Sequence, residues 1–325
     1  MAKKRCWIRR ASLAGAFLMW TAAAHAQTQP ERKFALHAES PHFWALVPRD
    51  AKLEKVAGGF GFTEGPVWDP KGFVYLSDEE QNHIFRVFPD GRKEIVVSLG
   101  DPDGSTFDGN LRLISTASVL RAIIEVDPAG SFKTLATTFE GKRFNSPNDV
   151  ISGPDGALYF TDPTLDLVKG EKQEIPFQGV YRLDANGSVK LLTKAHAQPN
   201  GLAFSPDGRH FYVDDSERRD IWVYDVAPGM ELRNGRQFGK EEGPEKSGVP
   251  DGMRVDQKGN IFVTGPLGIW IWDARGNHLG TIEMPEQPAN LAWGDPDYRT
   301  LYITATTSLY KLRTSTPGFV PYLKK

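Results

Sequence analysis

The sequence predicts an all-β protein, a six-bladed β-propeller with four-stranded blades. Three observations carry that prediction. One strand–turn–strand phrase recurs six times between Gly65 and Leu312. Apolar residues inside it alternate with period two, as in Val74, Leu76 and Phe211, Val213, with Gly, Asp and Pro between the runs. Four segments, Thr63-Glu64-Gly65-Pro66, Pro147-Asn148-Asp149, Pro199-Asn200-Gly201 and Pro250-Asp251-Gly252, place an oxygen-bearing side chain just ahead of a strand at matching points of different repeats.

The units follow in order. GPVWDPKGFVYLSD with HIFRVFPDGRKEIVV is the first, GSTFDGNLRLISTASVLRAIIEVDPAGSFKTLAT the second, and NDVISGPDGALYFTD with GVYRLDANGSVKLLT the third. NGLAFSPDGRHFYVDDSERRDIWVYDV and DGMRVDQKGNIFVTGPLGIWIWDARGNHLGTI are the fourth and fifth, and NLAWGDPDYRTLYITATTSLYKL, the sixth, lacks a fourth strand. A ring must close, so the strand missing from the sixth unit is expected from the segment near Phe43 to Val56. A pair of β-sandwiches is the competing arrangement. The expected organisation is a secretory signal at 1–26, an N-terminal closing segment at 27–57, the propeller at 58–315 and a C-terminal tail at 316–325.

The signal reading rests on Lys3, Lys4, Arg5, Arg9 and Arg10, the apolar run Ala11–Ala24 and the small-x-small site Ala24-His25-Ala26. The run is short of the ~20 apolar residues a spanning helix needs. A periplasmic or secreted location is expected. Removing residues 1–26 leaves 34 basic against 41 acidic residues, a formal charge of −7 that disfavours nucleic acid and anionic membranes as partners. Cys6, the one cysteine, leaves with the signal, which excludes disulfides, thiolate metal sites and a cysteine nucleophile.

Asn148 and Asn200 are 52 residues apart, and Asn200 and Asp251 are 51 apart, so equivalent points of successive units carry them. Each of these four segments alone is an ordinary turn; recurrence at the start of different first strands puts Glu64, Asn148, Asn200 and Asp251 on one mouth of the central tunnel. Carboxylates and amide carbonyls are hard oxygen donors suited to calcium or another divalent cation. Four protein oxygens leave coordination positions for water and a substrate oxygen. Asp251 is the expected general base. Asp103 occupies the Glu64 position in the second unit and Ala289 the Asn200 position in the sixth, one further polar group and one gap. Asp103, Asn148 and Asp162 are the candidate substrate contacts. Asp149 is expected to orient Asn148 or cap a strand, and Asp78, Asp162 and Asp215 close second strands as turn residues or catalytic ones. The Pro163–Gln178 segment is long enough to overhang the mouth as a lid, and Phe238–Pro250 reaches the same rim. No GxSxG elbow and no HExxH pair is present.

TEGPVW, FNSPNDV followed by YFTDP, PNGLAFSPDG, PDGM followed by VDQKGNIFVTG, and PANLAWG with TLYIT together resemble the senescence marker protein/gluconolactonase family, in its bacterial gluconolactonase-like branch. The resemblance implies a six-bladed calcium-dependent propeller that hydrolyses sugar lactones, with Glu64, Asn148, Asn200 and Asp251 at the metal-site positions. Ser146 stands where animal members carry an arginine, so contacts made by that arginine do not carry over. Related propellers acting as esterases or phosphotriesterases, and a non-catalytic binding module with a structural calcium, are the alternatives.

Overall fold

The computed structural model describes residues 32–244 and 246–323; the expected signal segment lies outside them. Six antiparallel four-stranded units are present, one of them extended by a fifth strand. Blade 1 is Thr63–Asp69, Phe73–Asp78, His83–Val87 and Lys93–Ser98. In blade 2 the strands are Pro102–Phe107, Leu113–Ala117, Ala122–Val126 and Phe132–Ala136. Blade 3 runs through Val150–Ser152, Leu158–Asp162, Gly179–Leu183 and Val189–Thr193. Pro199–Phe204, His210–Asp215, Asp220–Ala227 and Glu231–Lys240 make blade 4. Met253–Val255, Ile261–Gly265, Gly268–Trp272 and His278–Glu283 make blade 5.

Blade 6 joins the two ends of the chain. Pro288–Gly294, Thr300–Ala305 and Ser308–Arg313 are completed by Leu53–Gly58, paired antiparallel to Ser308–Arg313. Phe43 is not in that strand. Pro41 begins a 3₁₀ turn over Pro41–Ala45, whose Ser40 hydroxyl accepts from the His42 N–H, and Phe43 is buried there. Upstream, Ala35–Ala38 adds a fifth strand to the outer edge of blade 5. Both edge contacts cover backbone that would otherwise be an open template for pairing.

The core lies between blades, where large apolar side chains interdigitate. Trp68 of blade 1 stacks on Tyr302 of blade 6 at 5.3 Å, and Tyr159 of blade 3 meets Phe204 of blade 4 edge-on at 4.8 Å. Residues 316–323 do not extend away as a tail. Phe319 N–H donates to Val255 O, Tyr322 packs edge-on against Phe107 at 5.4 Å, and its hydroxyl donates to Trp68 O. They cover a small cavity of about 50 Å³ lined by Val67, Leu202, Val255, Phe319, Val320 and Tyr322, at the end of the tunnel where first strands finish. The opposite end, where they begin, carries the residues singled out above. Among the described residues no helix is long and apolar enough to cross a membrane.

Candidate metal centre and active site

Backbone irregularity at the hub aims the side chains. In blades 1, 2, 4 and 6 the first and second strands shift register at the hub residue, between Glu64 and Val67, Pro102 and Ser105, Pro199 and Leu202, and Pro288 and Asn290. Such a bulge bends a strand and re-aims a side chain. Glycine after the hub residue lets neighbouring first strands touch: a Cβ on Gly65 would lie 2.1 Å from Asp103 O, and one on Gly201 2.0 Å from Asp251 O. Hydroxyls on the second strands lock the same ring, with Ser77 Oγ donating to Asp103 O at 2.6 Å and Thr264 Oγ1 to Ala289 O at 2.8 Å.

The four predicted ligands therefore converge on one mouth. Glu64, Asn148 and Asn200 are buried, and Asp251 is half-buried. Glu64 Oε2 accepts from Gly65 N at 2.6 Å and Asn290 Nδ2 at 2.8 Å, while Oε1 is buried with no partner. Asn200 Oδ1 is likewise buried and unpartnered. Asn148 Nδ2 donates to Asp103 Oδ2 at 2.5 Å. Burial pushes the Glu64 carboxyl up to about 8, with the Asp149 charge adding to it and the Gly65 N–H opposing. Burial also raises Asp251 well above the usual carboxylate range, reinforced by Glu64, Asp149 and Asp166, and an Asn200 hydrogen bond pulls the other way. Asp103 is raised by burial and then by Glu79, Glu64, Asp166 and Asp251.

Orphaned oxygens and mutually repelling carboxylates are costly unless a cation fills the space between them. The donor set fits one: hard oxygens, two carboxylates and two amides, matched to a divalent ion. Among the described residues no three His, Cys, Asp or Glu form a metal-holding cluster by themselves; two of the four hub donors are asparagines.

Asp162 ends the second strand of blade 3 and is engaged with the loop before it. It is fully buried, its Oδ2 accepts from Asn145 N at 2.9 Å, and burial lifts it to about 8. Asp78 and Asp215 brace loops in the same way, accepting from Gly61 N at 2.9 Å and Ala197 N at 2.6 Å. Asp149 Oδ1 accepts from Val150 N, and its unpartnered Oδ2 lies 3.7 Å from Arg254 Nη1.

Sequence reasoning missed several residues. Blade 6 offers Asn290 rather than Ala289, one position on, as Asp149 follows Asn148 in blade 3. The signal was available in ANL aligned against NDV. Asp166 was not singled out either: its N–H donates to Ser146 Oγ at 3.2 Å, and its Oδ2 is buried and unpartnered. The Pro163–Gln178 segment is tethered as a wall. Arg121, buried in blade 2, donates to Phe144 O and to Glu171 Oε2 at 2.9 Å, Arg143 N donates to Glu174 Oε2 at 2.9 Å, and Ile175 enters the core.

Residues 62–307 match the SMP-30/Gluconolactonase/LRE-like region. The chain belongs to this family. It is 33% identical over 310 residues to a gluconolactonase of Zymomonas mobilis, covering 86% of each chain. A pentonolactonase of Haloferax volcanii is 30% identical over 250 residues, with 74% of this chain and 80% of that protein covered. The solved gluconolactonase of Xanthomonas campestris superposes with a TM-score of 0.79 at 28% identity, covering 88% of this chain and 99% of that one.

Proposed function

We propose that the protein is an exported, calcium-dependent lactonase that opens a sugar lactone to its hydroxy acid. The observation that carries the reading is the pair of buried, unpartnered oxygens, Glu64 Oε1 and Asn200 Oδ1, on a mouth shared with Asn148 and Asp251. Family membership and relatives named gluconolactonase and pentonolactonase support the reaction class. Glu64, Asn148, Asn200 and Asp251 would hold the ion, which when bound supplies a Lewis acid for the lactone carbonyl.

The chain's own residues supply the rest. Asp251 takes a proton from the attacking water as its oxygen bonds to the acyl carbon; the bond from that carbon to the ring oxygen then breaks, and the ring oxygen takes up a proton and leaves as an alcohol. Asn290 holds one oxygen of Glu64 and leaves the other free. Asn148 fixes Asp103 at the mouth, and Arg254 balances Asp149 from within the tunnel. The leader, expected at residues 1–26, supports export.

The test is acid release from glucono-1,5-lactone with and without a calcium chelator, in wild type and Asp251→Asn. Turnover abolished by both treatments is expected. Turnover unchanged by both contradicts the reading, and calcium-dependent melting without turnover on any lactone points to a binding module.

A further inference from the structure

Large apolar side chains that face solvent are few among the described residues, and four of them gather on two neighbouring loops where second strands end on the mouth. Val119 (39% exposed) and Leu120 (37%) lie in the loop joining the second and third strands of blade 2. Leu165 (48%) and Val168 (41%) lie on the Pro163–Gln178 wall, the equivalent loop of blade 3. Both loops are pinned on the dipeptide that leads into Asn148. Ser118 Oγ donates to Pro147 O at 3.0 Å, Ser146 Oγ donates to Pro163 O at 2.8 Å, and Asp166 N donates to Ser146 Oγ at 3.2 Å. Arg121 Nη1 ties one loop to the other through Glu171 Oε2 at 2.9 Å. Val119 also leans on the linker from blade 1, where a Cβ on Gly100 would lie 3.1 Å from its Cγ1.

These braces hold the four side chains as a standing rim beside a hub residue. The rim is small: at the exposures given, the four residues offer about 300 Å² in all, against the ~800 Å² that each partner of a stable protein interface buries. An occupant of substrate size fits that area, and a protein partner does not.

We propose that this flank of the mouth receives an alkyl or aryl substituent carried on the lactone ring, so that lactones with an apolar side chain form a second substrate class beside sugar lactones. The inference rests on the lactonase reading for its chemistry and adds a specificity surface to it. The ring is opened at the hub, while the substituent, directed toward blades 2 and 3, leaves water and covers the rim. Full burial of one methylene corresponds to about a fourfold gain in binding. A rim that covers one side of the chain gives about half of that free energy, or about twofold per methylene. Because the contact is the same in ground and transition states, the gain falls on KM and not on kcat.

The experiment measures kcat and KM of the calcium-loaded protein for δ-hexalactone, δ-octalactone and δ-decalactone, which share the six-membered ring of glucono-1,5-lactone and carry methyl, propyl and pentyl substituents. In wild type kcat/KM is expected to rise about twofold per methylene, roughly tenfold across the series, through KM. In Leu120→Ser/Leu165→Ser, with its fold checked by melting, the rise is expected to shrink to about threefold or less. In Ile95→Ser/Phe132→Ser, whose exposed side chains stand on the outermost strands of blades 1 and 2, it is expected to persist. A series that is flat in wild type, a rise that survives the loss of Leu120 and Leu165, or one lost equally in the outer-strand variant overturns the rim, while turnover of glucono-1,5-lactone leaves the lactonase standing. No opening of any lactone, glucono-1,5-lactone included, overturns the lactonase reading and the rim with it. Self-association, or flotation with phosphatidylcholine vesicles, that is lost in Leu120→Ser/Leu165→Ser assigns the patch to a second copy or a lipid surface and overturns it as a substrate contact. Should the double variant not fold, the Val119→Ser and Leu165→Ser single variants apply the same test.

Discussion

Asp251 precedes the first strand of blade 5 and Glu64 lies in blade 1, yet after burial the Glu64 charge raises the Asp251 carboxyl, and both charges raise that of Asp103. That coupling ties the two residues to one centre. Asp251→Asn keeps an oxygen donor and removes the base, so a fall in kcat of about 10² to 10⁴-fold is expected in steady-state lactone hydrolysis, with the fold intact by melting. A different residue governs the response of stability to acid. His196 is buried, hydrogen-bonded through Nε2 to Tyr224 Oη at 2.9 Å, and held down to about 4 by burial, which outweighs the pull of Asp215 and is aided by Arg218. The unfolded histidine binds a proton near 6.5 and the folded one near 4, so the unfolded state holds more protons between those values. Stability therefore falls as pH drops from about 6.5 to about 4, by roughly 3 kcal/mol in all. Urea melts of wild type and His196→Gln across that range check it: the wild type should show the steeper slope, and equal slopes remove His196 as the cause.

At the scale of elements, the long wall of blade 3 gives the clearest test. Arg121 reaches across from blade 2 to Phe144 O and Glu171, and Asp166 is carried on the wall so fixed. Arg121→Ala removes the brace and leaves Glu171 unpaired by it; faster proteolytic cleavage within residues 163–178 and a several-fold rise in KM are expected, exceeding the change in kcat. Strands were readable because period-two runs such as Phe73–Asp78 alternate between blade faces and Asp-Gly turns separate them. Glu64, Asn148, Asn200 and Asp251 were readable as a set because each lies at or just ahead of the start of a first strand. Asn290 was not, since a register shift between Pro288 and Asn290 offsets it by one from the repeat. Arg121 and Asp166 were not readable because only the meeting of loops from different blades gives them a role. The short Ala35–Ala38 strand pairs with blade 5, far along the chain, and nothing local announces such a partner.

The whole ring is held at both ends of its tunnel. Leu53–Gly58 closes blade 6 at the rim, and residues 316–323 lie across the far end against first strands of several blades. Tyr322 is buried, and Phe319 and Val320 pack partly buried against separate inter-blade clusters. Deleting residues 316–325 exposes these side chains and the apolar surface beneath them; at about 1.5–3 kcal/mol for each large side chain fully buried, a loss of several kcal/mol is expected in chemical denaturation. A truncated chain as stable as the full one would show that strand pairing alone holds the ring. At the near end, a cation between Glu64, Asn148, Asn200 and Asp251 would bind the folded state only, so calcium should raise the melting temperature and a chelator lower it. The most direct test of the central claim is a crystal structure of the protein grown with calcium. The account predicts an ion bonded at about 2.4 Å by oxygens of Glu64, Asn148, Asn200 and Asp251. A mouth without an ion, or those side chains turned to different regions, would contradict it.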